Sequence, residues 1–273
     1  MRVLVTNDDG VGATGIHRLA AAVVAAGHDV VVAAPIGDMS GSGAALGRLH
    51  VDEHIDVERS EIPGLPGIVA YGVDGPPALA VLASRLGGFG PPCEVVVSGV
   101  NPGANTGRAT LHSGTVGAAL TAANFGVSGL AVSLVPSEPM HWDTATTLAV
   151  DALEWLATAP SRTVLNLNVP ARGLDALAGV RWAELAPFGT VRAAIADVDL
   201  PADAGAGTPG RLQMELRETG ETLPEDSDTA IVLAGYAAVT DLVGLRARPA
   251  SLVGPGGHDA VDHLRRLLPA RSA

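Results

Sequence analysis

The sequence predicts an α/β protein: a mostly parallel β-sheet with helices on both faces, followed by a β-rich C-terminal extension. Short apolar runs alternate with longer, Ala-rich segments over the first 170 residues, which is the order of strands and helices in a parallel sheet. Several of these runs are apolar at every position, as expected for strands covered on both faces. Beyond Pro170 the alternation weakens, so the extension is predicted to begin there.

The first three elements have clear start and stop signals. Residues 3–6 form an apolar run that ends abruptly in polar residues, and they predict a strand. Residues 15–26 are Ala-rich and are followed by Gly27, a common helix terminator, so they predict a helix. Residues 29–34 predict a second strand that Pro35 stops, because proline lacks the N–H that the sheet requires.

A different pattern follows the second strand. Leu49, Val51, Ile55 and Val57 alternate with polar residues, and this period of two predicts a half-buried strand. Residues 50–54 (H-V-D-E-H) also match a zinc-site pattern that requires a helix. A strand would hold the two histidines far apart, so we reject a zinc site in this segment.

The remaining elements of the first 170 residues continue the alternation. The predicted strands are 68–71, 94–98, 129–134 and 163–168, and the predicted helices are 77–86, 114–125 and 143–157. In the extension, weaker signals predict strands at 212–216, 231–233 and 237–242 and a last helix at 259–268. We expect one domain over residues 1–273, with a core of residues 1–170. Residues 171–273 are expected to serve in oligomer contacts rather than to form a flexible appendage.

Composition and charge exclude several classes of function. The formal net charge of −12 argues against a basic face that binds nucleic-acid polymers or acidic membranes. Cys93 is the single cysteine, so no intrachain disulfide can form, which fits a reducing compartment. The sequence has no signal-peptide pattern and no run of about 18 apolar residues that would cross a membrane. We therefore expect a cytoplasmic protein without a membrane partner.

The polar residues at the strand ends are the candidate functional residues, because open parallel sheets bind ligands at the carboxyl ends of their strands. The first strand ends in Asn7, Asp8 and Asp9. Two adjacent carboxylates repel each other unless a cation or a proton offsets their charge. Taken alone, Asn-Asp-Asp-Gly is as typical of a simple turn and helix cap as of a functional site. Together with the other strand ends, it predicts a metal-dependent site.

Two later loops supply oxygen atoms of the same kind. The loop after the second strand carries Asp38, Ser40 and Ser42, and a loop further along carries Asn101 and Asn105. These side chains are hard oxygen donors without clustered His or Cys. They suit Mg²⁺ or Mn²⁺ rather than zinc or copper.

The start of the predicted helix 114–125 is a candidate phosphate site. Ser113, Gly114 and Thr115 offer hydroxyls and free backbone N–H groups at the positive end of the helix dipole. Ser or Thr at this place is also typical of a simple helix cap. His112 is either a general acid for the leaving alkoxide or an ordinary loop residue. A metal and a phosphate cradle at one sheet edge predict metal-assisted hydrolysis of a phosphoester.

The glycines after the first strand favour an alternative function. Gly10, Gly12 and Gly15 match the G-x-G-x-x-G pattern between a strand and a helix, which is typical of NAD(P)-binding oxidoreductases. However, Asp8 and Asp9 would face the pyrophosphate of the dinucleotide. In addition, the second strand ends without the acidic residue that holds the ribose. The two acids therefore outweigh the glycines.

Four segments, in order along the chain, resemble signature segments of the SurE family, stationary-phase survival proteins that are 5′/3′-nucleotidases. They are Asn7-Asp8-Asp9-Gly10, Ala34-Pro35 leading to Ser40-Gly41, S-G-V-N-P-G-A-N-T-G at 98–107, and Ser113-Gly114-Thr115-Val116. Weaker similarity continues in Trp142-Asp143-Thr144-Ala145, in L-N-L-N-V-P at 165–170, and in Gly235-Tyr236 before Val239-Thr240. The resemblance thus covers most of the chain.

The resemblance implies a Rossmann-like core with a C-terminal extension that forms homodimers or homotetramers. It implies phosphate release from nucleoside 5′- or 3′-monophosphates by metal-activated water, with Mg²⁺ or Mn²⁺ as cofactor. The implied metal ligands are Asp8, Asp9, Ser40 and Asn101, and the implied phosphate ligands are Asn105, Ser113, Gly114 and Thr115. Asp8 or Asp9 would also act as a base, and we rank direct attack of water above a covalent aspartyl-phosphate.

The chain departs from the family pattern in places. Residues 108–112 replace an acidic pair and a tyrosine, residues 73–78 replace a Gly-Thr-Pro-Ala-Asp-Cys segment, and Met39 stands where a basic residue is common. The positions implied for metal and phosphate are kept, so we expect the chemistry to be kept while the preferred nucleotide stays open. A non-catalytic, nucleotide-binding member of the family is a further alternative.

Overall fold

The computed structural model describes residues 1–47, 54–188, 191–199, 210–218 and 220–246. The strands in these ranges are β1 (Arg2–Thr6), β2 (Asp29–Pro35), β3 (Val57–Ser60), β4 (Val69–Val73), β5 (Val95–Asn101), β6 (Ser128–Leu134), β7 (Val164–Val169), β8 (Val180–Trp182), β9 (Val191–Asp199), β10 (Arg211–Glu218) and β11 (Ala237–Asp241). The α-helices are α1 (Thr14–Ala25), α2 (Pro77–Arg85), α3 (Gly114–Asn124), α4 (Trp142–Leu156) and α5 (Asp228–Leu233). Two 3₁₀ helices cover Gly107–His112 and Leu174–Ala176.

Nine strands form one sheet in the order β3-β4-β2-β1-β5-β6-β7-β11-β8. The six strands from β4 to β7 in this order run parallel, whereas β3 is antiparallel to β4 and β11 is antiparallel to β7. Strands β9 and β10 form a separate antiparallel pair. The predicted α/β fold with a mostly parallel sheet is therefore confirmed.

The helices cover both faces of this sheet because successive residues of a buried strand point to opposite sides. Val3 of β1 packs with Ile16 of α1 and Leu153 of α4 in one apolar cluster. The next residue, Leu4, packs with Leu79 of α2 in a second cluster on the other face. Each of these side chains is almost fully buried, and such burial contributes about 1.5–3 kcal/mol per residue.

The chain reverses its direction of winding at the centre of the sheet. From β1 it continues to β2 and β4 on one side, and β5, β6 and β7 then add on the other side. The crevice outside the carboxyl ends of β1 and β5 is therefore a topological switch point, where open α/β sheets bind ligands. Residues 7–9 follow β1 directly, and Asn101 is the last residue of β5.

Several predicted elements differ from the structure. Residues 231–233 are not a strand but the end of helix α5, because Ser227 caps that helix by accepting the Ala230 N–H. Three apolar residues are too few to distinguish a helix from a strand. Strand β3 begins only at Val57, and residues 54–56 are irregular. The rest of the alternating stretch, including His50, lies outside the described residues.

The extension adds strands to both sheets. The strand predictions at 212–216 and 237–242 are confirmed as β10 and β11, whereas β8, β9 and both 3₁₀ helices were not predicted. Although they follow residue 170, β8 and β11 complete the nine-stranded sheet. The predicted helix at 259–268 lies outside the described residues.

Residues Met1–Leu242 form one compact unit and Val243–Ala273 another. Of the second unit, the structure describes residues 243–246. The organisation as a single domain stays a prediction. Within the described ranges, no helix is both long enough and apolar enough to cross a membrane.

Candidate metal and phosphate site

The loop after β1 places two carboxylates at the switch point. Asn7 is fully buried and its side-chain amide donates to the carbonyl of Gly10 at 3.1 Å. This hydrogen bond shapes the turn, so neither aspartate side chain is needed to form it. Asp8 is almost fully buried, whereas Asp9 is half-buried. The turn interpretation of this motif therefore applies to Asn7 only.

Asp8 lies against the start of helix α3. The Thr115 hydroxyl donates to Asp8 Oδ1 at 2.5 Å. A Cβ added to Gly114 would lie 2.8 Å from Asp8 Oδ2 and 2.6 Å from the Ser42 hydroxyl oxygen. Only glycine fits between these two groups, because real Cβ atoms do not approach so closely. The structure thus brings Asp8, Gly114 and Thr115 together, as predicted for one site, and adds Ser42.

Ser42 was named in the sequence only as one of the hydroxyls of its loop. Its Oγ is buried, and no residue in the described part of the chain hydrogen-bonds to it. An unsatisfied buried hydroxyl costs about 1–3 kcal/mol, so a ligand beside Asp8 would relieve this cost. The spacing of two residues from Ser40 was the only sequence signal for it.

The surroundings of Asp9 are those expected of a cation ligand. Burial, then the negative charge of Asp8 and then that of Asp38, raise the pKa of Asp9 from 3.8 to about 7. Its Oδ2 is buried and has no hydrogen-bond partner among the described residues. Both observations indicate a carboxylate whose charge needs a cation.

Asp38, named above only as one of the oxygen donors of its loop, is the second negative charge, after Asp8, that acts on Asp9. The Ser40 hydroxyl and backbone N–H donate to Asp38 Oδ1 at 2.6 and 2.9 Å. The bond from the Ser40 hydroxyl, followed by that from its N–H, lowers the pKa of Asp38. Ser40 is thus tied to a carboxylate whose charge acts on Asp9, and its hydroxyl oxygen keeps lone pairs for a cation.

Asn101 is fixed in orientation at the end of β5. Its side-chain amide nitrogen donates to the Gly103 carbonyl at 2.7 Å, and the Gly103 N–H donates back to the Asn101 carbonyl at 2.9 Å. The side-chain oxygen is thus the atom that remains for a hard cation. Among the described residues, neither Asn101 nor Ser40 hydrogen-bonds to Asp8 or Asp9, so their roles as metal ligands stay predictions.

Asn105 is held between the ends of β6 and β7. Its backbone N–H donates to Asn168 Oδ1 at 2.8 Å, and its side-chain amide donates to the Ser133 hydroxyl at 2.9 Å. Its carbonyl accepts from the side chains of Asn166 and Asn168, both at 2.9 Å. Sequence reasoning missed these supports, although two buried asparagines in an otherwise apolar strand are an unusual signal.

Ser113 is the N-cap of α3. Its hydroxyl oxygen accepts the Val116 N–H at 3.1 Å, so the helix-cap interpretation is confirmed. The cap leaves the Ser113 hydroxyl proton and the N–H groups of Gly114 and Thr115 available, since the first turn of a helix has no internal acceptor for them. His112 is exposed at the end of its 3₁₀ helix, and its carbonyl accepts the Gly43 N–H at 3.1 Å.

The glycine pattern after β1 has a packing role. A Cβ on Gly15 would lie 2.0 Å from the carbonyl oxygen of Val100, so Gly15 lets α1 approach the end of β5. A Cβ on Gly12 would meet nothing within 4 Å. The chain thus has a structural reason for Gly15 that needs no dinucleotide.

The donor set fits a hard divalent cation. In the described ranges, no group of three or more His, Cys, Asp or Glu side chains is placed to hold a metal. The predicted set consists of two carboxylates with neutral hydroxyl and amide oxygens. Such oxygen donors suit Mg²⁺ or Mn²⁺, and they lack the nitrogen and sulfur ligands of zinc sites.

Known proteins are similar in sequence to this chain over most of its length. The family described as Survival protein SurE matches residues 3–190. The 5′-nucleotidase SurE of Parasynechococcus marenigrum is 33% identical over 246 residues, which are 89% of this chain and 91% of the relative. The enzyme of the same name from Aeromonas hydrophila is 33% identical over 260 residues, or 94% and 97% of the two chains.

The fold comparison agrees with the sequence comparison. The crystal structure of the SurE protein from Aquifex aeolicus superposes with a TM-score of 0.73 at 24% identity, covering 97% of this chain and all of that chain. None of these relatives supports the NAD(P)-dependent or the non-catalytic alternative. The resemblance of the four segments is therefore confirmed, and the chain belongs to the SurE family.

Proposed function

We propose that this protein is a divalent-metal-dependent phosphomonoesterase that releases phosphate from nucleoside 5′- or 3′-monophosphates. The observation that carries the proposal is the pair Asp8 and Asp9 at the switch point. Asp9 Oδ2 is buried without a partner in the described ranges, and the start of α3 packs against Asp8. Relatives named 5′-nucleotidase SurE that match nearly their full length support the same activity.

The metal would be held by Asp8, Asp9, Ser40 and Asn101, and we favour Mg²⁺ or Mn²⁺. When bound, such an ion polarises a phosphate oxygen and lowers the pKa of a water molecule. Asn101 is prepared for this role because its amide nitrogen is already engaged with Gly103. Thr115 prepares Asp8, since its hydroxyl fixes Oδ1 and leaves Oδ2 directed to the space beside Gly114.

The phosphate would lie against Asn105 and the first turn of α3. The backbone N–H groups of Gly114 and Thr115 and the hydroxyl of Ser113 donate to its oxygens. The Asn105 amide adds a further donor, held in place by Ser133. These neutral donors matter because Asp8, Asp9 and Asp38 leave the site negative.

Asp9 is the better candidate for the base. Without a metal, burial and then the charges of Asp8 and Asp38 raise the pKa of Asp9 to about 7; a bound cation would lower it, so Asp9 would act as a base only through an oxygen that the metal leaves free. Its unpartnered Oδ2 would accept the proton of the attacking water. Asp8 is less suited because its Oδ1 is engaged with Thr115, and we rank a covalent aspartyl-phosphate below direct attack of water.

The test is phosphate release from 5′-AMP and 3′-AMP with Mn²⁺ or Mg²⁺ and then with EDTA. We expect release that EDTA abolishes, and we expect Asp8→Asn and Asp9→Asn each to abolish it while the fold is kept. Asp143→Asn is the matched control, because Asp143 is exposed and makes one long ion pair with Arg18 at 4.0 Å. Absence of metal-dependent release from every monophosphate would refute the proposal.

We also propose a homodimer or homotetramer in the cytoplasm. On the β9–β10 pair, Ile195, Val198, Leu212 and Met214 are each half exposed or more, and apolar side chains grouped in this way are typical of an interface. Cys93 is free and buried, which fits a reducing compartment. Light scattering on the purified chain, and on a variant with Ile195→Ser and Met214→Ser, tests the assembly.

A further inference from the structure

A buried carboxylate outside the proposed metal site is hydrogen-bonded to the segment 105–113, which carries proposed phosphate ligands at both ends. Asp228, in the first turn of α5, is fully buried. Its Oδ2 accepts the backbone N–H of Gly107 at 2.8 Å, and its Oδ1 accepts the N–H groups of Ala186 at 3.0 Å and of Thr229 at 2.7 Å. The two oxygens thus have separate tasks: Oδ1 binds the extension itself, whereas Oδ2 reaches back to residue 107.

Gly107 begins the 3₁₀ helix that connects the proposed phosphate ligands. Its φ is +58°, and a Cβ there would lie 3.1 Å from the carbonyl oxygen of Ala186. The backbone is therefore pressed directly against the extension. This close contact and the bond to Asp228 act at the same point of the chain.

The two ends of this segment carry residues that we propose to bind the phosphate. Asn105 lies two residues before Gly107, and Ser113 directly follows the 3₁₀ helix and caps α3. The carbonyl of His112 also accepts the N–H of Gly43, in the loop that carries Ser42. Movement at Gly107 would therefore change the spacing between Asn105 and the start of α3.

We propose that Asp228 is a positioning residue for phosphate binding, acting through Gly107 on Asn105 and on residues 113–115. The inference rests on the proposed function and gives the extension a role inside the site, beyond oligomer contacts. Asp228 acts at a distance from the reacting atoms. Its effect is to hold the segment 105–113 in one place before substrate arrives.

Asp228→Asn separates the two tasks of the carboxylate. An amide has one acceptor and one donor end. The amide oxygen can still accept the N–H groups of Ala186 and Thr229. Its NH₂ group then faces the N–H of Gly107, and two donors cannot form a hydrogen bond. The variant thus breaks the bond to Gly107 and keeps the bonds within the extension.

Ser227→Ala is the matched control. Ser227 caps the same helix, accepting from the Ala230 N–H at 3.4 Å and donating to the Pro224 carbonyl at 2.6 Å. Its loss weakens the start of α5 without touching Gly107. Gly107→Ala disturbs the same contact from the other side, and it takes the place of Asp228→Asn if that variant does not fold.

The experiment measures kcat and KM for 5′-AMP with saturating Mn²⁺, the Kd of inorganic phosphate, the Kd of Mn²⁺ without phosphate, and amide hydrogen exchange over 103–113. For Asp228→Asn we expect KM and the phosphate Kd to rise about tenfold or more, with the Mn²⁺ Kd unchanged within about twofold. Exchange over 103–113 rises in this variant and stays at the wild-type level in Ser227→Ala.

Two results would overturn the inference: wild-type exchange and KM in Asp228→Asn, or equal changes in Ser227→Ala. The hydrogen-exchange measurement needs no turnover. If the wild-type protein releases no phosphate, the proposed function fails while faster exchange in Asp228→Asn still supports the anchor.

Discussion

Gly114→Ala is the most direct perturbation of the proposed site. The added Cβ would lie 2.6 Å from Ser42 Oγ, 2.7 Å from Asp8 Cβ and 2.8 Å from Asp8 Oδ2. All three distances are shorter than real Cβ contacts, so at least the Asp8 side chain must move. Asp8 cannot move freely, because Thr115 of the same helix holds its Oδ1.

The expected magnitudes for stability and function differ. Overpacking costs about 1–3 kcal/mol, and alanine returns up to about 1 kcal/mol of helix propensity. We therefore expect a net loss of about 1–2 kcal/mol, or roughly 2–8 °C in Tm. Displacement of a metal ligand by a fraction of an ångström to about 1 Å costs on the order of a hundredfold in rate. Function should thus fall far more than folding.

The assay compares Gly114→Ala with Gly12→Ala. A Cβ on Gly12 would meet nothing within 4 Å, although Gly12 lies in the loop that follows Asp9. Circular dichroism gives Tm, calorimetry gives the Kd of Mn²⁺, and phosphate release gives kcat/KM. Gly12→Ala should match the wild-type protein in all three measurements.

A double variant locates the clash. Ser42→Ala removes one of the three crowded atoms but leaves both atoms of Asp8, so the pair Ser42→Ala and Gly114→Ala should stay inactive. Recovery of the double variant would show that Asp8 is not displaced. Wild-type Mn²⁺ affinity and turnover in Gly114→Ala alone would refute the placement of the metal beside this helix.

Three further predictions follow from the charges and the unpartnered groups. Because burial and then the charges of Asp8 and Asp38 raise the pKa of Asp9 to about 7, metal-free protein should lose stability as pH rises from about 4 to 7. At pH 8 the free energy of unfolding of metal-free Asp9→Asn should then exceed that of the wild type by about 1–2 kcal/mol after solvent screening, whereas at pH 4 the two should be equal. Equal melting temperatures at pH 8 would contradict this prediction. Ser42→Ala should stabilise the metal-free protein or leave it unchanged, and should raise the KM for 5′-AMP; a large loss of Tm would mean that Ser42 has a structural partner. Calorimetry should detect 5′-AMP binding with Mn²⁺ but not with EDTA, because three carboxylates face a phosphate dianion; tight binding in EDTA would argue against a metal site.

The fold was predictable where local signals were strong. Gly27, Pro35 and the wholly apolar runs set the first elements to within a residue or two. The order of strands was not predictable, because pairing depends on contacts far apart in the chain. The segment 231–233 shows a second limit. Its apolar residues suit a strand as well as a helix, and the structure has a helix there, capped by Ser227.

The site was predictable in its parts but not in its supports. Asp8, Gly114 and Thr115 were selected from strand and helix ends, and the structure brings them together. The bond from Gly107 to Asp228 spans 121 residues, and no pattern of spacing or periodicity reports such a contact. The contact can be recognised only from the three-dimensional structure, which brings the 3₁₀ helix and α5 together.

The charges around the candidate site make a cation the expected partner of any phosphate that binds to this acidic protein. No Arg or His in the described ranges forms an ion pair with Asp8, Asp9 or Asp38. Without a cation, the pKa of Asp9 therefore rises, as burial and then the charges of Asp8 and Asp38 dictate. A site that met its substrate with arginines would hold the phosphate without a metal. We expect this site, by its own charges, to repel a phosphate until a divalent cation reverses the local sign, so metal binding would be the condition for substrate binding.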